Sequence, residues 1–107
     1  MVTAGRWESA GAHGAYRILL FHGGLEHTNS TVVAEWVADP THDTDRRVVY
    51  SKLLVDTCLC SLKPPQVEPL PIGVRVTLTG ELTAMPQNVT CIFELGQSGQ
   101  VRVLRQC

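Results

Sequence analysis

Val74-Arg75-Val76-Thr77-Leu78-Thr79-Gly80-Glu81-Leu82-Thr83 alternates without a break. Val74, Val76, Leu78 and Leu82 fall on one side, with Gly80 among them. Arg75, Thr77, Thr79, Glu81 and Thr83 fall on the other. A sustained period of two is the pattern of a strand with one buried and one wet face. Gly80, on the apolar side, marks a place where the strand bends or another backbone comes close. Pro71-Ile72-Gly73 just ahead supplies turn chemistry. This stretch is expected to be the central strand of a small curved sheet.

The composition sets the frame around it. At 107 residues, with 44% hydrophobic and 18% charged side chains, the chain suits one folded domain with one modest core. The formal net charge of -1 bears on function. Proteins that hold nucleic acid through phosphates are usually basic, so any such role here requires a local patch or base stacking. No apolar run reaches the length of a bilayer span. Residues 1–15, rich in Gly and Ala with Trp7 as the one large apolar group, read as a flexible tail, which leaves 16–107 as the domain. Cys58 and Cys60 are too close for an ordinary bridge to each other. The four cysteines (these two, Cys91 and Cys107) are therefore expected to be reduced thiols in an intracellular compartment.

Outward from the central strand, the chain is rich in strand signals. Tyr16 to His22 is nearly continuously apolar, which predicts a strand buried on both faces, interrupted at Gly23-Gly24 by a bulge or bend and open to continuation over Leu25 to Thr28. Thr31 to Ala38 is a second strand, and Arg47 to Lys52 a third, reached through a polar loop from Thr41 to Arg47. From Leu53 to Leu62 the spacing changes: Leu54, Cys58 and Leu62 stand at i, i+4 and i+8, one face of a short helix stopped by Pro64-Pro65. Asn88 to Leu95 is a fifth strand with Val89, Cys91, Phe93 and Leu95 inward, and Gln100 to Arg105 a last extended piece. The expected fold is all-β, a five-stranded OB-fold barrel with a helix between strands three and four.

Arg47-Val48-Val49-Tyr50-Ser51-Lys52-Leu53, the apolar stretch ending Leu62-Lys63, and Gly73 to Leu82 together resemble the bacterial and mitochondrial single-stranded-DNA-binding protein family. Gly99-Gln100-Val101-Arg102-Val103 is similar to the closing segment of the kinetoplastid RNA-editing-complex interaction proteins, which carry the same module. The resemblance implies an OB domain that assembles with other OB-fold subunits, through homo- or hetero-oligomer contacts, and binds single-stranded RNA or DNA weakly. A mitochondrial location follows from the resemblance alone. Set beside the near-neutral charge, the short Met85-Pro86-Gln87 connection, where that family has a long hairpin over DNA, tilts the expectation toward assembly.

Sequence-tolerant strand binding requires aromatic faces and basic groups. Tyr50, Trp36, Arg46, Arg47, Lys52, Arg75 and Arg102 are the candidates, with Tyr50 and Arg75 foremost. Tyr50 matches the stacking aromatic of the resembled family. Trp36 shares a face with Val32 and Ala34, the ordinary pattern of a core residue. Ile18, Leu20, Phe21, Val101 and Val103 are the candidates for a protein interface, on the argument that open edge strands invite pairing. His22 and His27 flank Glu26, and His42 lies near Asp43 and Asp45, but no spacing matches a metal signature, so no metal or cofactor is expected. No nucleophile elbow, phosphate loop or marked carboxylate pair is present, and the expectation is a non-enzyme. Asn29-Ser30-Thr31 and Asn88-Val89-Thr90 are both N-glycosylation sequons, which leaves a secreted β domain as a minor alternative, beside a stand-alone single-stranded-DNA-binding protein.

Overall fold

The computed structural model of the chain describes residues 2–9, 11–24, 28–40 and 47–107. Strands β1 (Val2–Ser9), β2 (Ala12–Gly23), β3 (Asn29–Ala38) and β4 (Arg47–Cys58) form one antiparallel sheet in that order. The second sheet contains β5 (Cys60–Leu62), β6 (Gln66–Pro69), β7 (Val74–Leu82), β8 (Asn88–Leu95) and β9 (Val101–Arg105). There β5 and β6 lie in line along one edge of β7, while β8 and then β9 extend from the other. Lys63-Pro64-Pro65 separates β5 from β6, as two prolines without N–H donors must.

The two sheets share one core. Tyr16, Ile18, Val32, Ala34 and Trp36 come from the first sheet, and Leu62, Val74, Val76, Leu78, Cys91, Phe93 and Leu95 from the second. Along β7 the buried side is Val74, Val76, Leu78 and Gly80, the alternation read from sequence. Gly80 lies opposite Leu62 of β5, and a Cβ built on it would stand 2.1 Å from the Ser61 carbonyl oxygen. The close backbone approach expected there is present. The sheets are also tied by hydrogen bonds. Tyr16 Oη and Trp36 Nε1 both donate to the Gly96 carbonyl oxygen, at 2.9 and 2.7 Å. Tyr16 also meets Trp36 edge to face, with ring centroids 5.7 Å apart.

All-β structure is as expected, but the closed OB barrel is not: the chain forms two separate antiparallel sheets. The helix expected over 53–62 is strand, as are all the regular elements among the described residues. β4 runs on to Cys58, and its pairing with β3 is interrupted by bulges, one of them between the Val55 and Leu53 pairs. A bulge adds a residue out of phase, so the apolar positions of a bulged strand fall at spacings that imitate a helix face. After Cys58 the chain turns sharply and passes from one sheet to the other as β5.

Residues 2–9 are likewise not a tail but the edge strand β1. Trp7 is 2% exposed and donates from Nε1 to the Ala15 carbonyl oxygen at 3.1 Å. The cysteines are not free thiols: Cys58 is bonded to Cys60, and Cys91 to Cys107. Cα atoms 5.2 Å apart across Leu59 make the first of these bridges feasible, against the expectation from spacing alone.

Candidate docking surface

Among the described residues, the candidates for nucleic-acid contact do not share a face. Trp36 is fully buried and packs edge to face on both Tyr16 and Tyr50, so it offers no ring to a base. Tyr50 is half-buried, directed toward Trp36 and covered by the turn before β9, where a Cβ on Gly99 would stand 2.9 Å from Tyr50 Cδ1. Arg75 lies on the outer face of the second sheet and donates to Glu94 at 2.9 Å. Arg102 approaches the same carboxylate at 3.7 Å. Arg47 and Lys52 are exposed on β4, in the other sheet. Arg46 lies outside the described residues, as do His27 and His42. Among the described residues, these positions are divided between the outer face of the second sheet and β4 of the first.

Of the interface candidates, Ile18 is in the core at 1% exposure, and Leu20 is partly buried against it. β2 is not buried on both faces, because Phe21 turns outward and is 53% exposed. Val101 packs partly on the core, and Val103 is 47% exposed on β9. The apolar surface that the structure does assemble centres instead on β4 and β9. These are the outer strands on one side of the two sheets, each paired along one edge. β4 exposes Val48, Val49 and Leu53, and β9 exposes Val103 and Leu104. Leu54, Val55 and Cys58 of β4 face Phe93, Val103 and Cys107 across a cavity of about 300 Å³. Leu53 continues a cross-strand row through Val33 to Leu19 on the outer face, beside the Arg17–Glu35 ion pair at 2.6 Å.

Such a side can accept an extended segment. A strand edge supplies unpaired N–H and C=O groups, and the apolar side chains above and below it supply burial. Leu53 is missed in sequence because its spacing imitates a helix face, and Val49 because nothing local distinguishes an outward strand residue from an inward one. Val103 is among the interface candidates read from sequence, on the argument that a trailing edge strand invites pairing.

The other polar cluster joins three strands at the far end of the first sheet. Arg6 of β1 donates to the carboxylate of Asp39, which lies just past β3, and His13 Nδ1 of β2 is 3.0 Å from the same carboxylate. The Arg6 hydrogen bond holds the Asp39 carboxyl down at about 2. Arg6, Trp7, His13, Ile72 and Gln97 line an adjoining cavity of about 620 Å³. As an exposed ion cluster it is screened by water and adds little to stability. Nothing in the sequence foretold it, since its members become neighbours only through strand pairing.

His22 is exposed, with Nδ1 3.2 Å from Ser30 Oγ, and among the described residues no group of three His, Cys, Asp or Glu side chains is placed to hold a metal. Of the two sequons, Asn88 is exposed at the start of β8 and Asn29 is half-buried opposite Gly23. No helix among the described residues is long and apolar enough to cross a membrane. No protein-family model, no curated protein and no solved structure matches this chain.

Proposed function

We propose that this chain is a non-catalytic β domain that assembles with other proteins by accepting an extended strand on its open β4–β9 side. The observation that supports this most is that β4 and β9 each pair along one edge only among the described residues and expose Val48, Leu53, Val103 and Leu104. Both strands also line one cavity, where Leu54, Val55, Phe93 and Val103 stand beside Asp56 and Gln106. It keeps the assembly half of the function that the resemblance implied. Nucleic acid carries less weight: the resemblance leaned on a helix after Lys52, Trp36 is buried, and Glu94 already engages Arg75 and Arg102. The working compartment in this reading is oxidising, because both cysteine pairs are closed and disulfides persist in such compartments.

The test is amide chemical-shift mapping with a panel of extended peptides of alternating apolar pattern, run beside oligo-dT and oligo-U. Peptides are expected to shift the amides of β4 and β9, with a loss of about tenfold or more in affinity in Leu53→Lys/Val103→Lys. The reading fails if shifts map to another face, if only the oligonucleotides bind, or if no peptide binds and the protein stays monomeric at all concentrations.

A further inference from the structure

We infer that Cys58–Cys60 is an exchangeable redox disulfide, opened by thiols that enter the β4–β9 cavity, whereas Cys91–Cys107 is a structural staple. This stands on the geometry of the bridge itself and does not depend on the docking reading. The two bridges differ first in what they restrain. Cys91 and Cys107 are 16 positions apart, whereas Cys58 and Cys60 enclose a single residue. Restriction of the unfolded chain grows with the length of the closed loop, so the short bridge is the weaker staple of the two.

The sheet crossover that it spans is also held without it. Ser30 Oγ, fully buried, donates to the Cys60 carbonyl oxygen at 2.8 Å and accepts from the Leu62 amide at 3.2 Å. The Thr83 amide donates to the Leu59 carbonyl oxygen at 3.2 Å. With these bonds in place, the bridge opens without loss of the fold.

The backbone leading into it is strained. Thr57 has φ of 54°, the left-handed region, which a β-branched side chain strongly disfavours. The two sulfurs are unequally placed. Cys60 is fully buried, while Cys58 is half-exposed and lines the cavity with Leu54, Asp56, Phe93, Val103 and Gln106. An incoming thiolate therefore meets Cys58 before Cys60. Cys107 reaches the same cavity, so what sets the two bridges apart is loop length and the strained approach at Thr57, not access alone.

The substrate class is a thiol, either a small one such as glutathione or a cysteine-bearing peptide whose apolar residues seat in the cavity. Its thiolate attacks Cys58 Sγ, and the mixed disulfide forms as the Cys58–Cys60 bond breaks. The electron pair leaves on Cys60 Sγ, which takes a proton from water. With a dithiol, the second thiolate then attacks the sulfur bound to Cys58 and releases it. The incoming dithiol loses two electrons, and Cys58 and Cys60 gain them.

The test equilibrates the folded protein with graded reduced glutathione or a Cys-x-x-Cys peptide, quenches with acid, alkylates and maps the labelled cysteines. Cys58 and Cys60 are expected to label at thiol levels that leave Cys91–Cys107 closed and the near-ultraviolet dichroism native. With oxidised glutathione, Cys60→Ser is expected to take up one glutathione on Cys58, about tenfold or more faster than Cys58→Ser takes one on Cys60. Thr57→Gly, by relieving the strain, is expected to shift the exchange equilibrium toward the closed bridge by about fivefold. The inference is overturned if Cys58–Cys60 opens only as the fold is lost, if Cys91–Cys107 opens first, or if the two single-cysteine variants react alike. Should either serine variant fail to fold, the order of labelling in the unmutated protein decides. Faster reaction of peptide than of glutathione identifies a protein thiol as the substrate, and equal rates a small one.

Discussion

The Gly96 carbonyl oxygen is the point where single residues tie the two sheets together. It accepts from Tyr16 Oη at 2.9 Å and from Trp36 Nε1 at 2.7 Å, so both of its lone pairs are used by side chains of the opposite sheet. Burial raises the Tyr16 phenol from 10.0 to about 12. A folded-state value above the unfolded one means that the folded form holds its proton more firmly. That contribution to stability is complete below pH 10.0 and is lost as pH rises through about 12. Tyr16→Phe removes both effects. Its expected cost is about 1 kcal/mol at neutral pH, for one lost hydrogen bond. Its melting temperature should fall less steeply than that of the unmutated protein over the same alkaline range. Calorimetry across that range checks the prediction, and parallel alkaline profiles would refute it. Trp36 shows how far residue-scale reading reaches. Its shared face with Val32 and Ala34 disclosed a core position, but nothing local disclosed that its indole N–H would find a carbonyl 60 positions away.

At the scale of elements, β7 is the best-specified strand, and Gly80 is its tightest point. Any side chain there meets the Ser61 carbonyl oxygen and, at 2.8 Å, the Leu62 Cα, both backbone atoms that cannot swing aside. Gly80→Ala is therefore expected to destabilise by about 2 kcal/mol or more and to loosen β5 from β7. Urea unfolding measures the first effect and amide exchange at Cys60–Leu62 the second, and a neutral change in both would contradict the packing described. β7 and β8 were legible because each buries one face in unbroken alternation. β4 was legible only to Lys52. Beyond it, bulges against β3 and the turn at Thr57 disturb the period, and the apolar residues regain a helical spacing by coincidence. β1 was lost for another reason: Trp7 is its one large apolar residue and shows no period by itself, so only pairing with β2 and the burial of that indole make it a strand.

For the whole molecule, the open β4–β9 side raises the question of what keeps its rim in place. β9 buries almost nothing: past Val101 every residue through Arg105 is exposed, and its ladder to β8 shifts register between Ile92 and Phe93. Burial alone gives so exposed a strand little hold against fraying. Its anchor is covalent, through Cys91 in the core and Cys107 just beyond the strand. This wall of the cavity was legible in sequence as an extended piece, but its attachment was not, because bond formation depends on which sulfurs the fold brings together. Cutting the anchor by Cys91→Ala/Cys107→Ser should cost about 3 kcal/mol, the chain-entropy value for a loop of this length. The Cys58→Ser/Cys60→Ala pair, which likewise puts no hydroxyl in the buried site, should cost about half as much. Urea midpoints of the two double variants, compared with the unmutated protein at equal m-value, give the ranking. Amide exchange should also accelerate along β9 in the first variant while β2 and β3 stay protected. A reversed ranking, or protection retained along β9, would mean that strand pairing holds this edge unaided.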